Sequence, residues 1–171
     1  MNRVEAYWDG DGVAFPRLVP LSVLVVVVAG LLQWLVPVDL LSDIELVEDI
    51  DWVWPAGFGL LLGFGGLALS YAGYVALARR GADVKTGQPA SALVVDGVFQ
   101  WTRNPTYLGM LIALAGIAIG LSLDWLLILI VPLSLFLDAA LVRPEELQLA
   151  HRFGKAYQVY THRAPRYLFI H

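Results

Sequence analysis

The chain has 171 residues, of which 58% are apolar and 15% charged, against about 45–50% and about 25% in soluble domains. That balance leaves too little polar surface for a water-soluble globule and excludes intrinsic disorder, which needs low hydrophobicity and high net charge. The net charge of −4 argues against a nucleic-acid partner, and the absence of cysteine removes disulfides, thiolate chemistry and cysteine-held metals, so a single-domain integral membrane protein remains.

The first 13 residues include Glu5, Asp9 and Asp11 and lack the positive start and small-residue cleavage site of a signal peptide. The first apolar run, about residues 18–38, is therefore expected to stay as a membrane span. An acidic loop follows, with Asp39, Asp43, Glu45, Glu48, Asp49 and Asp51 and no basic residue. The second run, about 52–78, has 27 residues. As a helix it would reach about 40 Å, more than a ~30 Å hydrocarbon core, so tilt or projection is expected. It carries Gly59-x-x-x-Gly63 with Gly65, Gly66 and Gly73. Small residues at that spacing let transmembrane helices approach closely. A phosphate-cradling loop would instead need glycines after a strand.

The third run, 106–120, is short, and Asn104 and Pro105 before it read as an N-cap and a first helical residue. The fourth, 123–141, follows after only Leu121 and Ser122, which predicts an antiparallel helical hairpin. Asp124 and Trp125 at its tip would sit at a membrane interface. Asp138 is the one acid within a span, a functional candidate by default, about one turn from the end where pairing or snorkelling is open to it. Pro144 can begin a new helical turn, and Glu145 and Glu146 suit a helix N-terminus. Asp138 and Glu145 would share a face if the helix continued. The tail then shows helical periodicity through Leu147, Ala150, Phe153, Tyr157 and Tyr160, as an amphipathic helix on the membrane surface would. His151, His162 and His171 lack the spacing of a ligand pair on one helix, so no metal site is expected.

The predicted fold is thus an all-α, polytopic transmembrane helical bundle of about four spans. With four spans, all 11 lysines and arginines fall on one side. The positive-inside rule makes that side cytoplasmic, with both termini, in the cell (inner) membrane. The longest polar stretches, 79–105 and 143–171, then form one cytoplasmic region. Within it Asp96-Gly97, Phe99, Trp101, Arg103 and Tyr107 gather at the mouth of the hairpin, on the side of Glu145 and Glu146. Convergent polar and aromatic groups beside an apolar wall describe a small-molecule pocket.

At these residues the chain resembles the isoprenylcysteine carboxyl methyltransferase and phospholipid methyltransferase family. One block is Arg80-Gly81, Leu93-Val94, Gly97-Val98-Phe99 and Arg103-Asn104-Pro105-Thr106-Tyr107-Leu108-Gly109. The second is Glu145-Glu146, Phe153-Gly154, Tyr157, Tyr160 and Ala164-Pro165-Arg166. Together they cover roughly half the chain, about 79–168. The resemblance implies S-adenosylmethionine-dependent methyl transfer to a lipophilic or lipid-linked acceptor at the cytoplasmic face. It places Ser91, Leu93, Val94, Gly97, Phe99, Asn104, Pro105, Tyr107, Glu145 and Glu146 around the cofactor. On that footing Glu145 would bind the donor's amino group with Glu146 in support. Tyr107 and Phe99 would pack on the adenosine or methionine part. Arg103 or Arg143 would act catalytically by holding an anionic acceptor group. The acceptor, as carboxylate or amine, and the oligomeric state stay open. So do two other readings: an NADPH-dependent membrane reductase of related architecture, and a non-enzymatic scaffold or transport-associated membrane protein.

Overall fold

The structure, a computed structural model, describes residues 15–40, 53–80 and 92–167. Ser91, the acidic residues from Asp43 to Asp51, and His171 lie outside them. Every regular element among the described residues is helical: α1 (Phe15–Leu35), α2 (Val53–Arg79), a 3₁₀ turn (Gly97–Gln100), α3 (Pro105–Gly120), α4 (Asp124–Leu137), a π-helical turn (Asp138–Val142), α5 (Arg143–Phe153) and α6 (Lys155–Arg163). Three helical stretches are long and apolar enough to cross a membrane: Leu18–Leu35, Val53–Arg79 and Asp124–Phe153. α3 is apolar but shorter, 16 residues or about 24 Å. Valines, leucines and aromatics stand exposed along α1 and α2, among them Val23, Leu24, Trp34, Leu61 and Phe64. Helices that are apolar all round belong in a lipid surround.

The glycines of α2 decide how it meets α3. A Cβ on Gly59 would lie 2.6 Å from the Gly116 carbonyl oxygen, and one on Gly66 would lie 2.5 Å from that of Gly109. A Cβ on Gly73 would meet the Thr106 hydroxyl at 2.8 Å, and one on Gly116 would collide with the backbone of Gly63. The two helices therefore run antiparallel with their backbones in contact, sealed by small residues from both sides. Gly65 is different: nothing lies within 4 Å of its added Cβ, so it faces away from this seam. The seam also orders the polar groups of the two helices, since the Ser70 hydroxyl donates to the Thr106 carbonyl at 3.0 Å.

The expected hairpin joins α3 to α4. Ser122 takes a left-handed backbone (φ 50°), and the Leu123 N–H reaches the Ala118 carbonyl at 2.8 Å, closing the end of α3 as a Schellman-type cap does. At the hairpin tip the Trp125 indole N–H donates to the Val36 carbonyl at 2.7 Å, tying α1 to α4. Asp124 is buried there.

The fourth apolar helix runs on beyond the expected end of its span at Leu141 and past Pro144. The helix does not stop near Leu141; it continues through the π turn into α5 as far as Phe153, past the end of its apolar part. Pro144 lacks an N–H and its ring would strike the carbonyl one turn back. Widening the preceding turn, with the Arg143 N–H bonded to the Asp138 carbonyl five residues earlier, absorbs that conflict without ending the helix. The tail is also not one helix. Gly154, with φ 50° and ψ −121°, turns the chain between α5 and α6. α6 then folds back so that Tyr157, Tyr160 and Ala164 bury with Val94 and Phe99 in a second apolar cluster beside the end of α2.

Candidate functional site

The site forms where the start of α3, the end of the long α4–α5 helix and the tail after α6 meet. Three hydrogen bonds lash the tail to the stretch before α3. The Arg103 N–H donates to the Pro165 carbonyl at 2.9 Å, the Thr102 hydroxyl to the Arg166 carbonyl at 2.7 Å, and the Tyr160 hydroxyl to the Phe99 carbonyl at 2.8 Å. Thr102, fully buried, also accepts from the Asn104 N–H at 3.2 Å. Asn104 stands at the N-cap position of α3, yet its side chain makes no capping bond, contrary to expectation. Asn104 is 7% exposed and its Nδ2 has no partner.

Glu145 and Glu146 are neighbours in sequence with opposite surroundings. The Tyr107 hydroxyl donates to Glu145 Oε1 at 2.8 Å, and no basic side chain among the described residues pairs with this carboxyl. Burial pushes it up to about 7; the Tyr107 hydrogen bond offsets part of that and the nearby Glu146 charge adds to it. Glu145 lies beyond Leu141, where the apolar part of the long helix gives way to Arg143, Glu145 and Glu146. Glu146 instead sits between cations. Arg103 Nη1 is 3.3 Å from its Oε1, Arg166 Nε donates to the same oxygen at 3.2 Å, and Arg166 Nη2 meets Oε2.

Asp138 continues this network. Arg143 Nε donates to it at 2.7 Å, Arg166 Nη1 lies 3.6 Å away, and the Tyr167 hydroxyl donates to it at 3.4 Å. Arg166 thus bridges Asp138 to Glu146, not to Glu145. In a regular helix the residue stacked two turns after Asp138 would be Glu145. The π turn inserts one extra residue and moves that position to Glu146.

The structure brings Arg103, Asn104, Pro105, Tyr107, Glu145 and Glu146 to one locus. Leu93, Val94 and Phe99 pack beside it, in the cluster with Tyr157 and Tyr160. Tyr157 adjoins both halves: its hydroxyl is pushed up mainly by burial and the Glu146 charge, and held down by Arg103. Gly97 starts the 3₁₀ turn at φ 61°, a backbone that disfavours any side chain. Arg143 is largely exposed and faces Asp138. Trp101 points out, 68% exposed, away from the gathered groups. Arg166, Tyr167, Thr102 and Tyr157 join the site without having been singled out as site residues. The available signal was charge: half-buried acids at 138 and 146 require cations, and the tail is where the remaining arginines lie.

A sequence model of the phospholipid methyltransferase family matches residues 54–156, more than half of the chain. The matched segment begins in α2 and ends just inside α6, so it holds the glycine seam, Tyr107 and both glutamates. No curated protein and no solved structure matches.

Proposed function

The chain belongs to the phospholipid methyltransferase family, and from that premise we propose that it transfers a methyl group from S-adenosylmethionine to a lipophilic or lipid-linked acceptor at the cytoplasmic membrane face. The observation that carries this reading is Glu145: a half-buried carboxyl held by Tyr107, with no cation among the described residues beside it. An ammonium group of the donor would supply the missing countercharge. The unpartnered Nδ2 of Asn104 and Nε of Arg103, both on side chains less than one-tenth exposed, offer donors to the anionic part of the same molecule. The residues present therefore fit this cofactor.

When bound, the cofactor supplies a methyl group already activated by its sulfonium charge. The protein's work is then alignment. Tyr107 orients Glu145, and the Arg103–Glu146–Arg166 ion pairs keep the start of α3 against α5. Phe99 and Val94 close the apolar side. A carboxylate acceptor needs no base, whereas an amine acceptor must first lose a proton. The cytoplasmic placement is supported by charge. Arg79, Arg80, Arg103, Arg143 and Arg166 all sit at the site's end of the bundle, and Asp39 and Asp124 at the other.

Calorimetry with S-adenosylmethionine on the wild type and Glu145→Ala tests both layers. Wild-type binding that weakens on substitution is expected. Equal affinity would remove Glu145 from the cofactor site. No wild-type binding, with thermal protection by NADPH in its place, would replace the methyltransferase reading by a reductase. A labelled-methyl assay on total lipid extract, with mass analysis of the product, identifies the acceptor.

A further inference from the structure

α1 packs on α4 and α3 rather than on α2, while α2 is pressed onto α3 by the glycine seam. A groove is left between α1 and α2, floored by α3, with a volume of about 290 Å³. That is near the small end of ligand pockets, ~300 Å³. Its walls include Val19, Ser22 and Val23 from α1 and Leu67 and Ser70 from α2, with Met110 in the floor. Both serines are already satisfied: Ser22 donates to the Val19 carbonyl at 2.9 Å and Ser70 to the Thr106 carbonyl at 3.0 Å. No polar group in these walls therefore awaits a partner, and the groove fits hydrocarbon.

Position narrows the occupant further. Along α1 the groove runs from Leu18 to Val27, about 14 Å, or one leaflet of a ~30 Å hydrocarbon core. That leaflet is the one next to the site. At this end the groove reaches Met110, which packs in the same buried cluster as Tyr107 one turn earlier on α3. Ser70 bonds to the carbonyl of the residue just before Tyr107. A chain lying in the groove would thus deliver its head group beside Tyr107 and Glu145.

We propose that this groove between α1 and α2 receives a single hydrocarbon chain of the methyl acceptor, drawn from the leaflet on the site's side, an inference that rests on the methyltransferase reading above.

The probe is phosphatidylethanolamine with a diazirine in one acyl chain, in phosphatidylcholine nanodiscs holding the full-length protein. Photoadducts should concentrate on the groove walls. Val23→Trp should reduce them and raise KM for lipid acceptor roughly tenfold, the low end of what a misfitted apolar pocket costs. Leu24→Trp is the control: Val23 and Leu24 are 57% and 58% exposed, but Leu24 does not line the groove. S-adenosylmethionine affinity should stay unchanged in both. Adducts spread evenly around α1 and α2, equal effects of the two substitutions, or a crosslink placing a second copy in the groove would overturn the proposal. Groove adducts without methyl transfer to any lipid would overturn the enzymatic reading and leave the groove as a lipid site that serves no acceptor. Methyl transfer with evenly spread adducts would overturn the groove alone.

Discussion

Glu145 and Glu146 show how far one residue's displacement along a helix changes its chemistry. Glu146 is met by Arg103 and Arg166, whereas Glu145 is met by a phenol and burial pushes its carboxyl up to about 7. The consequence for stability has a definite sign. Between the ordinary glutamate value of 4.5 and about 7 the folded state binds more protons than the unfolded one, so stability falls as pH rises through this window. Thermal unfolding in detergent at steps from pH 5 to 8 should show that fall, and Glu145→Gln should flatten it. Binding of an ammonium group to Glu145 requires the ionised form. Cofactor affinity should therefore rise about tenfold from pH 6 to pH 8, with proton release on binding, and lose that dependence in Glu145→Gln. Tyr107→Phe removes the hydrogen bond that opposes the upward shift. It should move the midpoint of the affinity profile to higher pH.

Among the helices, the α2–α3 seam is the tightest contact, and its glycines are not equivalent. Gly66→Ala places a methyl against the backbone of α3 and should cost about 1–3 kcal/mol, as overpacking does. Gly65→Ala meets nothing and should stabilise α2 by about 0.5–1 kcal/mol through lost backbone entropy in the unfolded chain. Melting temperatures of the two variants should therefore move in opposite directions. Both glycines stand in the same glycine-rich run, and four-residue spacing showed that a seam exists. Gly65 was separable only once the partner helix was in place. Ser122 makes a similar case. Its left-handed backbone at the hairpin predicts that Ser122→Gly raises the melting temperature, because only glycine takes φ near 50° without cost.

Across the molecule, the tail after α6 acts as a strap. Through Pro165 and Arg166 it binds the stretch before α3, and through the Arg166 side chain it binds the α4–α5 helix at Asp138 and Glu146. Arg166→Gln removes both ion pairs and leaves Glu146 with Arg103 alone. Hydrogen exchange should then quicken at residues 99–104 and in α6, while the α2–α3 seam stays protected, since no bond of the strap reaches it. Uniform exchange across the bundle would contradict this division. The strap and the second apolar cluster together explain why two distant sequence blocks, one around Arg103 and one around Arg166, end in a single site.

Much of this plan was legible in the residues alone. Apolar runs separated by polar ones define membrane helices because a backbone in lipid must satisfy its own hydrogen bonds, whatever its neighbours are. Glycine spacing announces a close helix contact for an equally local reason, and the short link at Leu121–Ser122 permits only a hairpin. The site's membership was also partly readable, because Tyr107, Arg103 and Glu145 lie at the ends of such runs. Tertiary structure decided what depends on distance between chain segments. The π turn before Pro144 passes the Arg166 bridge to Glu146 and leaves Glu145 to Tyr107. Asn104 keeps its N-cap position but makes no capping bond, and its N–H is held by Thr102 instead. Burial and charge pairing are properties of neighbours in space, and a one-residue change of helical register is enough to exchange them between adjacent side chains.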